Sequence, residues 1–188
     1  QDLSNRAPTA AAVTWVPEPS ANTHDELVTP DIRSVVQEIV DLPGWTPGNS
    51  MGIMFGHVTG SGVRWVESFR NNNGVDTPAL SVSYLAPSST PTVCDAPPLT
   101  PPAPPPPPPP PPGGGTLVMA SVTGRPDGAE ESVPSGNMYL TSSDYEMVHD
   151  GGGEQVVGIV FPSVPVPAGV TVTSAYVLFD VDEVRPGQ

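Results

Sequence analysis

Nine consecutive prolines, Pro104–Pro112, stand near the middle of a chain of 188 residues. Proline fixes φ and has no backbone N–H to donate, so such a run is excluded from helix interiors and from sheet ladders. It favours the polyproline II helix, which rises about 3.1 Å per residue, so nine prolines span roughly 28 Å. Three glycines, Gly113–Gly115, follow as a flexible joint. We therefore expect a polyproline rod within a linker at 93–115, which separates a segment at 1–92 from a segment at 116–188.

Both flanking segments contain strand-like sequence. Alternating apolar and polar residues at Ala79–Leu85 are typical of an antiparallel strand with one buried face. The glycine-rich turn Thr59–Gly62 predicts a hairpin between Met51–Val58 and Val63–Phe69. These patterns predict an all-β fold with antiparallel sheets. The other predicted strands are Ala11–Val16, Thr116–Gly124, Gly136–Val148, Glu154–Phe161 and Val170–Val184.

One helix is predicted, and Thr29 is a suitable N-cap for it. Pro30 suits the first helical position, and Asp31 favours the positive end of the helix dipole. Pro43 and Gly44 end the helix. Its apolar positions are all β-branched and therefore weak helix formers, so we expect the helix to lie against a sheet. They are spaced as one helical stripe, which consists of Ile32, Val35, Val36, Ile39 and Val40.

The charge balance is strongly acidic. The chain has 20 aspartates and glutamates against six arginines and no lysine, which gives a net charge of −14 at pH 7. Such a surface repels phosphate backbones and anionic headgroups, which argues against nucleic-acid partners and polybasic membrane binding. No run of about 18 apolar residues occurs, so no membrane span is expected.

Two acidic pairs are candidate ligands for a metal ion. Asp144 and Glu146 share one face of a predicted strand, and Asp180 and Asp182 share a face of another. Either pair can supply oxygen ligands to a structural Ca²⁺. The alternative is that these acids simply face solvent. No other cofactor is expected.

Signatures of catalysis are weak. His24, His57 and His149 are scattered along the chain without metal-ligand spacing. Cys94, the only cysteine, lies beside the rod with no nearby histidine, so we do not expect it to act as a nucleophile. It is either a free thiol or one half of an intermolecular disulfide. We do not expect an enzyme.

Several aromatic side chains are candidates for a platform on which sugars stack. Their neighbours in sequence are apolar or mark helix and strand ends, which favours core packing instead. The candidates are Trp15, Trp45, Trp65, Tyr139 and Tyr145.

Three groups of motifs occur together in this chain. One is QVVGIVFPSVPVPAGVTVTSAYVLFDVDEV, and another combines LSNRAPTAAAVTWVPEP with TPDIRSVVQEIVDLPGWTPGNSMGIMF, which contains a Pro-Gly-Trp motif. The last combines VRWVESF with TPALSVSYL. In this combination they resemble the first half, the second half and the final hairpin of a β-sandwich (jelly-roll-like) repeat of secreted bacterial and algal surface proteins. The resemblance implies a β-sandwich and an extracellular or cell-surface location.

The order of the halves is inverted relative to that family. The second half of the repeat corresponds to Gln1–Leu85, and the first half corresponds to Thr116–Val184. Three arrangements account for this: a window on a tandem array of beads, two half-sandwiches completed by neighbouring copies, or a permuted single domain. A rod of roughly 28 Å holds its ends apart, which weighs against the third arrangement unless the rod runs along the sandwich.

The combined pattern predicts a structural repeat unit of an extracellular filament or cell-surface coat, with β-sandwich beads joined by glycosylated polyproline rods. Its expected partners are neighbouring copies of the chain and covalent glycans. The alternative is a carbohydrate-binding or adhesive module on a proline stalk. The resemblance implies hydroxylation and O-glycosylation in and near the rod. The candidate positions are Pro104, Pro105, Pro106, Pro107, Pro108, Pro109, Pro110, Pro111, Pro112, Ser88, Ser89 and Thr90.

Overall fold

A computed structural model describes residues 3–17, 20, 22–56, 63–70, 74–86, 115–151 and 153–184. Within these ranges the chain forms one helix, α1 (Arg33–Val40), and a short 3-10 turn at Arg125–Asp127. The rest of its regular structure is β, as predicted. The strands are β1 (Glu26–Val28), β2 (Met51–Phe55), β3 (Arg64–Glu67), β4 (Ala79–Leu85), β5 (Thr116–Ser121), β6 (Gly128–Ser132), β7 (Met138–Tyr139), β8 (Asp144–Met147), β9 (His149–Asp150), β10 (Gly153–Phe161) and β11 (Thr171–Glu183).

The larger of two antiparallel sheets is built around β11. Its strand order is β5-β4-β11-β3-β8, and β1 also pairs with β11. β11 is 13 residues long, which allows it to pair with three strands in turn. It pairs with β4 along Thr171–Leu178, with β1 along Leu178–Asp180, and with β3 at Val181 and Glu183.

The smaller sheet has the antiparallel order β2-β10-β6-β7, with β9 paired to the start of β10. Val157, Ile159 and Phe161 alternate along β10 and are fully buried. Gly158 lies on the other face, where a Cβ atom would stand only 2.7 Å from Cδ2 of Leu3. The absence of a side chain at Gly158 therefore lets the N-terminal segment pack on the outer face of this sheet.

The two sheets and the helix share one core. Ile159 and Phe161 of the smaller sheet belong to the same buried cluster as Val177 and Phe179 of β11 and Val36 of α1. Full burial of an apolar side chain of this size contributes about 1.5–3 kcal/mol. Because this cluster combines residues from before and after the linker, neither segment holds the complete core alone.

The helix begins three residues later than predicted. The hydroxyl oxygen of Thr29 accepts a hydrogen bond from the Val177 N–H instead of capping α1. The carboxylate of Asp31 accepts from the N–H groups of both Arg33 and Ala175. Both side chains therefore attach the approach to the helix to β11. The predicted apolar stripe and the stop before Pro43 are confirmed, with Val36 and Val40 buried.

The strand pattern is confirmed at some positions and wrong at others. Ala79–Leu85 is confirmed as β4, and the predicted strands at 154–161 and 170–184 match β10 and β11 within one residue at each end. The predicted strand at Ala11–Val16 has no ladder, since its Trp15 packs on aromatic rings instead. The predicted strand at Gly136–Val148 breaks into β7 and β8, which belong to different sheets.

Both predicted hairpins are also corrected by the pairing. β2 and β3 do not pair, because β2 joins β10 in the smaller sheet and β3 joins β11 in the larger one. β3 and β4, the pair implied by the resemblance, are separated by β11. In both cases the predicted partner was the next strand in the sequence. The observed partner is instead a strand from after the linker, β10 or β11.

The segments on either side of the linker pair with each other within one chain. β4 precedes the linker and β5 follows it, and the two strands are antiparallel neighbours with Tyr84 opposite Thr116. The rod was expected to hold the two segments apart, because only the length of the nine prolines was taken into account. The chain between β4 and β5 also includes Ala86–Ala103, which is long enough to span a rod of that length in the opposite direction.

Candidate functional site

Three carboxylates meet where the end of β11 passes the start of β8. One oxygen from each of Asp144, Asp182 and Glu183 lies within 4.8 Å of the others. The two strands flank β3, and the register of β11 shifts between Val181 and Glu183. We call Asp144, Asp182 and Glu183 the acidic cluster. Carboxylate oxygens at this spacing repel one another and are the type of ligand that Ca²⁺ takes.

The structure thus combines one member of each predicted pair and separates both pairs. Asp182 and Asp144 lie in the acidic cluster together with Glu183, which was not among the predicted ligands. Glu146 lies instead beside a buried carboxyl of β6, and Asp180 lies beside β1. Within-strand alternation identified residues that share a face but could not identify which strands become neighbours.

Asp180 has its own charged surroundings. It is half-buried, and this burial raises the pKa of its carboxyl; Asp76 and Glu26 raise it further while His24 lowers it. Nδ1 of His24 lies 3.8 Å from a carboxylate oxygen of Asp76.

The most unusual titratable group is Glu130 on β6, which is only 2% exposed. One of its carboxyl oxygens accepts hydrogen bonds from the Glu146 N–H (2.9 Å) and from Nε2 of Gln155 (3.1 Å). The same Gln155 nitrogen donates to the Glu146 carbonyl oxygen at 2.6 Å. Burial first, and the Glu146 carboxyl second, raise the pKa of Glu130 to about 8. The protonated carboxyl is therefore the main form at pH 7.

Glu131, the next residue of β6, has a different role. Its carboxylate is buried and points to the opposite face of the strand, where it accepts hydrogen bonds from the N–H groups of Leu3 and Ser4. The Ser4 hydroxyl also donates to it at 2.6 Å. Glu131 therefore fixes the N-terminal segment that packs over Gly158.

The candidate aromatic residues divide by exposure. Trp45, Trp65 and Tyr145 are buried, and Trp45 donates from Nε1 to the Val166 carbonyl oxygen at 2.9 Å. Trp15 is half-buried and stacks on Phe179. Tyr139 differs from them, because 51% of its surface is exposed. Among these residues it is the one most available for stacking against a ligand.

The remaining candidates are placed as follows. His24 precedes β1 and is exposed, whereas His149 forms part of β9 in the other sheet, so the structure does not bring these two histidines together. His57, Cys94, Ser88, Ser89, Thr90 and the prolines at 104–112 lie outside the described residues.

Comparison with known proteins does not assign this chain to a group. No family model, no curated protein sequence and no solved structure matches it. Within the described residues, no helix has the length and apolar character needed to cross a membrane.

Sequence reasoning missed the most buried charged groups. Glu130 and Glu131 lie in Gly-Ala-Glu-Glu-Ser, which has low strand propensity and no apolar alternation. Arg70 and Arg125 were equally inconspicuous, since each stands in a polar turn. The one weak signal in the sequence is the rarity of positive charge, with six arginines against 20 acidic residues.

Proposed function

We propose that this chain is a structural repeat unit of an extracellular, glycosylated filament or cell-surface coat, in which β-sandwich beads are joined by polyproline rods. The observation that carries the proposal is the mutual dependence of the two segments. β11, from after the linker, lies between β4 and β3, from before it. A segment without its counterpart has open strand edges, and open edges pair readily with another chain.

The position of the linker supports the role of a rod. The linker begins after β4 and ends at β5, at the outer side of the larger sheet. Three strand pairs join the two segments: β4 with β5, β2 with β10, and β3 with β11. If the strands before the linker in one copy form these pairs with the strands after the linker in another copy, each bead is built from two chains. The rod of each chain then connects one bead to the next. The beads then resist unfolding and proteolysis, the rod sets their spacing, and the acidic surface and its glycans keep the fibre hydrated.

A disulfide between β4 and β11 tests this exchange. Ser83 and Ser174 are register partners, and both are half-buried. We would replace both with cysteine in a Cys94→Ser background and oxidise the protein across a range of concentrations. Exchange between copies gives a ladder of covalent multimers on a non-reducing gel, whereas each single-cysteine variant gives dimers at most.

Native material supplies the second part of the test. The peptide that contains Pro104–Pro112 should carry added oxygen and pentose or hexose mass in a mass spectrum, and the intact material should form fibres in electron micrographs. Intrachain bridges alone, combined with compact monomers and with neither polymer nor tandem precursor in the source, would overturn the proposal.

The second candidate function is a carbohydrate-binding or adhesive module on a proline stalk. The exposed ring of Tyr139 beside an open cleft favours it. Binding to a glycan array that is lost in Tyr139→Ala and retained in Tyr176→Ala, together with native material that forms no fibres, would support this function over the structural one.

A further inference from the structure

A small open cleft lies where the end of β3, the 3-10 turn, β7 and the start of β8 meet. It is open to solvent and encloses only about 10 Å³, roughly the space of one water molecule. We call it the arginine cleft, and the lining residues that matter here are Arg70, Arg125, Gly128, Tyr139, Leu140 and Tyr145. Sites for drug-sized ligands usually occupy about 300–1,000 Å³, so this cleft takes only one small polar group, such as a carboxylate, and the rest of a ligand would lie across its open mouth.

The charge of the cleft is opposite to that of the chain. Two of the six arginines, Arg70 and Arg125, line it, although the net charge of the chain is −14. Neither forms an ion pair within the part of the chain that the structure describes, whereas Arg33 pairs with Asp31 at 2.9 Å. Arg70 also has a buried Nε–H with no hydrogen-bond acceptor among the described residues.

Such an arrangement is unfavourable without an anion. Guanidinium groups stay charged at all relevant pH values, so Arg70 and Arg125 each carry a positive charge with which no described carboxylate forms an ion pair. A buried N–H without an acceptor lowers stability further. A carboxylate relieves both costs, because its two oxygens match the planar donor fork of arginine.

The exposed rim of the cleft suits the face of a sugar ring. The half-exposed ring of Tyr139 and the exposed side chain of Leu140 form an apolar wall, which suits the C–H face of a pyranose. The Tyr145 hydroxyl lies directly over Gly128, where any Cβ atom would stand 1.7 Å from it. Tyr145 lines the cleft, and its hydroxyl can donate to a ligand oxygen.

We propose that the arginine cleft binds a carboxylate-bearing sugar residue, a hexuronate, through Arg70 and Arg125, with its ring against Tyr139. This site goes beyond the structural role and does not depend on it. In a fibre it would attach an acidic glycan to the bead, and in an adhesive module it would be the recognition site itself.

The test is a titration of the full ¹⁵N-labelled chain with D-glucuronate and D-galacturonate, followed by amide chemical shifts. D-glucose serves as the neutral sugar, and sodium sulfate at matched ionic strength serves as the simple anion. At least one hexuronate should shift the amides of Arg70, Gly128 and Tyr139 with an affinity at least about tenfold above that of glucose, because a charge-assisted pair is worth at least that factor.

Variants locate the site. Arg70→Gln and Arg125→Gln should each weaken hexuronate binding about tenfold, and the double variant should abolish it. Arg125 is exposed on a turn, so its variant keeps the fold even if Arg70→Gln does not. Tyr139→Ala should weaken hexuronate binding but not sulfate binding, and Arg33→Gln should change neither. Two results would overturn the proposal. One is equal affinity for glucuronate, galacturonate and glucose. The other is that sulfate binds as tightly as the hexuronates and Tyr139→Ala has no effect on hexuronate binding.

Discussion

Replacing Glu130 with Gln should remove a pH dependence of stability that the wild-type chain carries. The pKa of Glu130 is about 8 in the folded state against an ordinary value of 4.5, chiefly because the carboxyl is buried. The folded chain therefore binds more protons than the unfolded chain between pH 4.5 and pH 8. Stability from this group is complete below pH 4.5, falls as the pH rises through that window, and is lost above pH 8.

The size of the effect follows from the pKa difference. Each pH unit corresponds to about 1.4 kcal/mol, so the ceiling for a single carboxyl is about 5 kcal/mol. Part of the raised pKa of Glu130 comes from the neighbouring Glu146 carboxyl rather than from burial, and we expect a loss below that ceiling, of about 2–4 kcal/mol. A glutamine at this position keeps an oxygen for the Glu146 N–H and an amide N–H for its carboxylate, and it does not ionise.

The assay is urea unfolding followed by tryptophan fluorescence between pH 5 and pH 9, which stays above the isoelectric point of about 4.2. Glu130→Gln should equal the wild type at pH 5 and exceed it by about 2–4 kcal/mol at pH 9. Glu154→Gln removes the same charge from a half-buried position on β10 and should show no such gain. If the difference between Glu130→Gln and wild type does not grow with pH, the buried carboxyl is ionised in the folded chain and the reasoning is wrong.

Three further predictions concern packing and cation binding. Glu131→Gln should lower the free energy of unfolding by about 3 kcal/mol and should speed hydrogen exchange at the first residues of the chain. Ser4→Ala removes only one of the hydrogen bonds to this carboxylate and should cost only about 1 kcal/mol. Equal effects of the two variants would contradict the role of the carboxylate. Gly128→Ala should lower the free energy of unfolding by about 1–3 kcal/mol or more, because the tyrosine hydroxyl above it must move, and an unchanged denaturation midpoint would count against this contact. If the acidic cluster holds Ca²⁺, millimolar CaCl₂ should raise the melting temperature of the wild type. Asp182→Asn should remove this increase, whereas Asp180→Asn, outside the cluster, should keep it. No increase in the wild type would rule out Ca²⁺ binding by the cluster.

The elements with strong local patterns were predictable. Ala79–Leu85 alternates with period two and forms β4 with the predicted bounds, and the stripe from Ile32 to Val40 lies on the buried side of α1. Elements with weak local patterns were not predictable. β6 is a strand because β10 and β7 pair with it on both sides, although its own sequence is acidic and poor in β-branched residues.

The candidate sites show the same division. Single residues such as Asp144, Asp182 and Tyr139 were identified from residue type and strand position. The groups in which they act were not, because Asp144 meets Asp182 only across β3, and Tyr139 meets Arg70 only where turns from distant parts of the chain converge. The type of a residue limits the chemistry of its side chain. The residues that surround it in the fold decide whether that side chain forms part of a site.

The sequence by itself determined the strand and helix periodicity, the acidic charge and the proline run, since each of these is a property of residues close together in the chain. Only the tertiary structure decided that β11 lies between β4 and β3 and that Tyr84 stands opposite Thr116. Those pairings depend on burying one core that both segments share. The free energy of that core comes from contacts between residues that are far apart in the sequence. Local sequence patterns do not identify which of these distant residues come into contact.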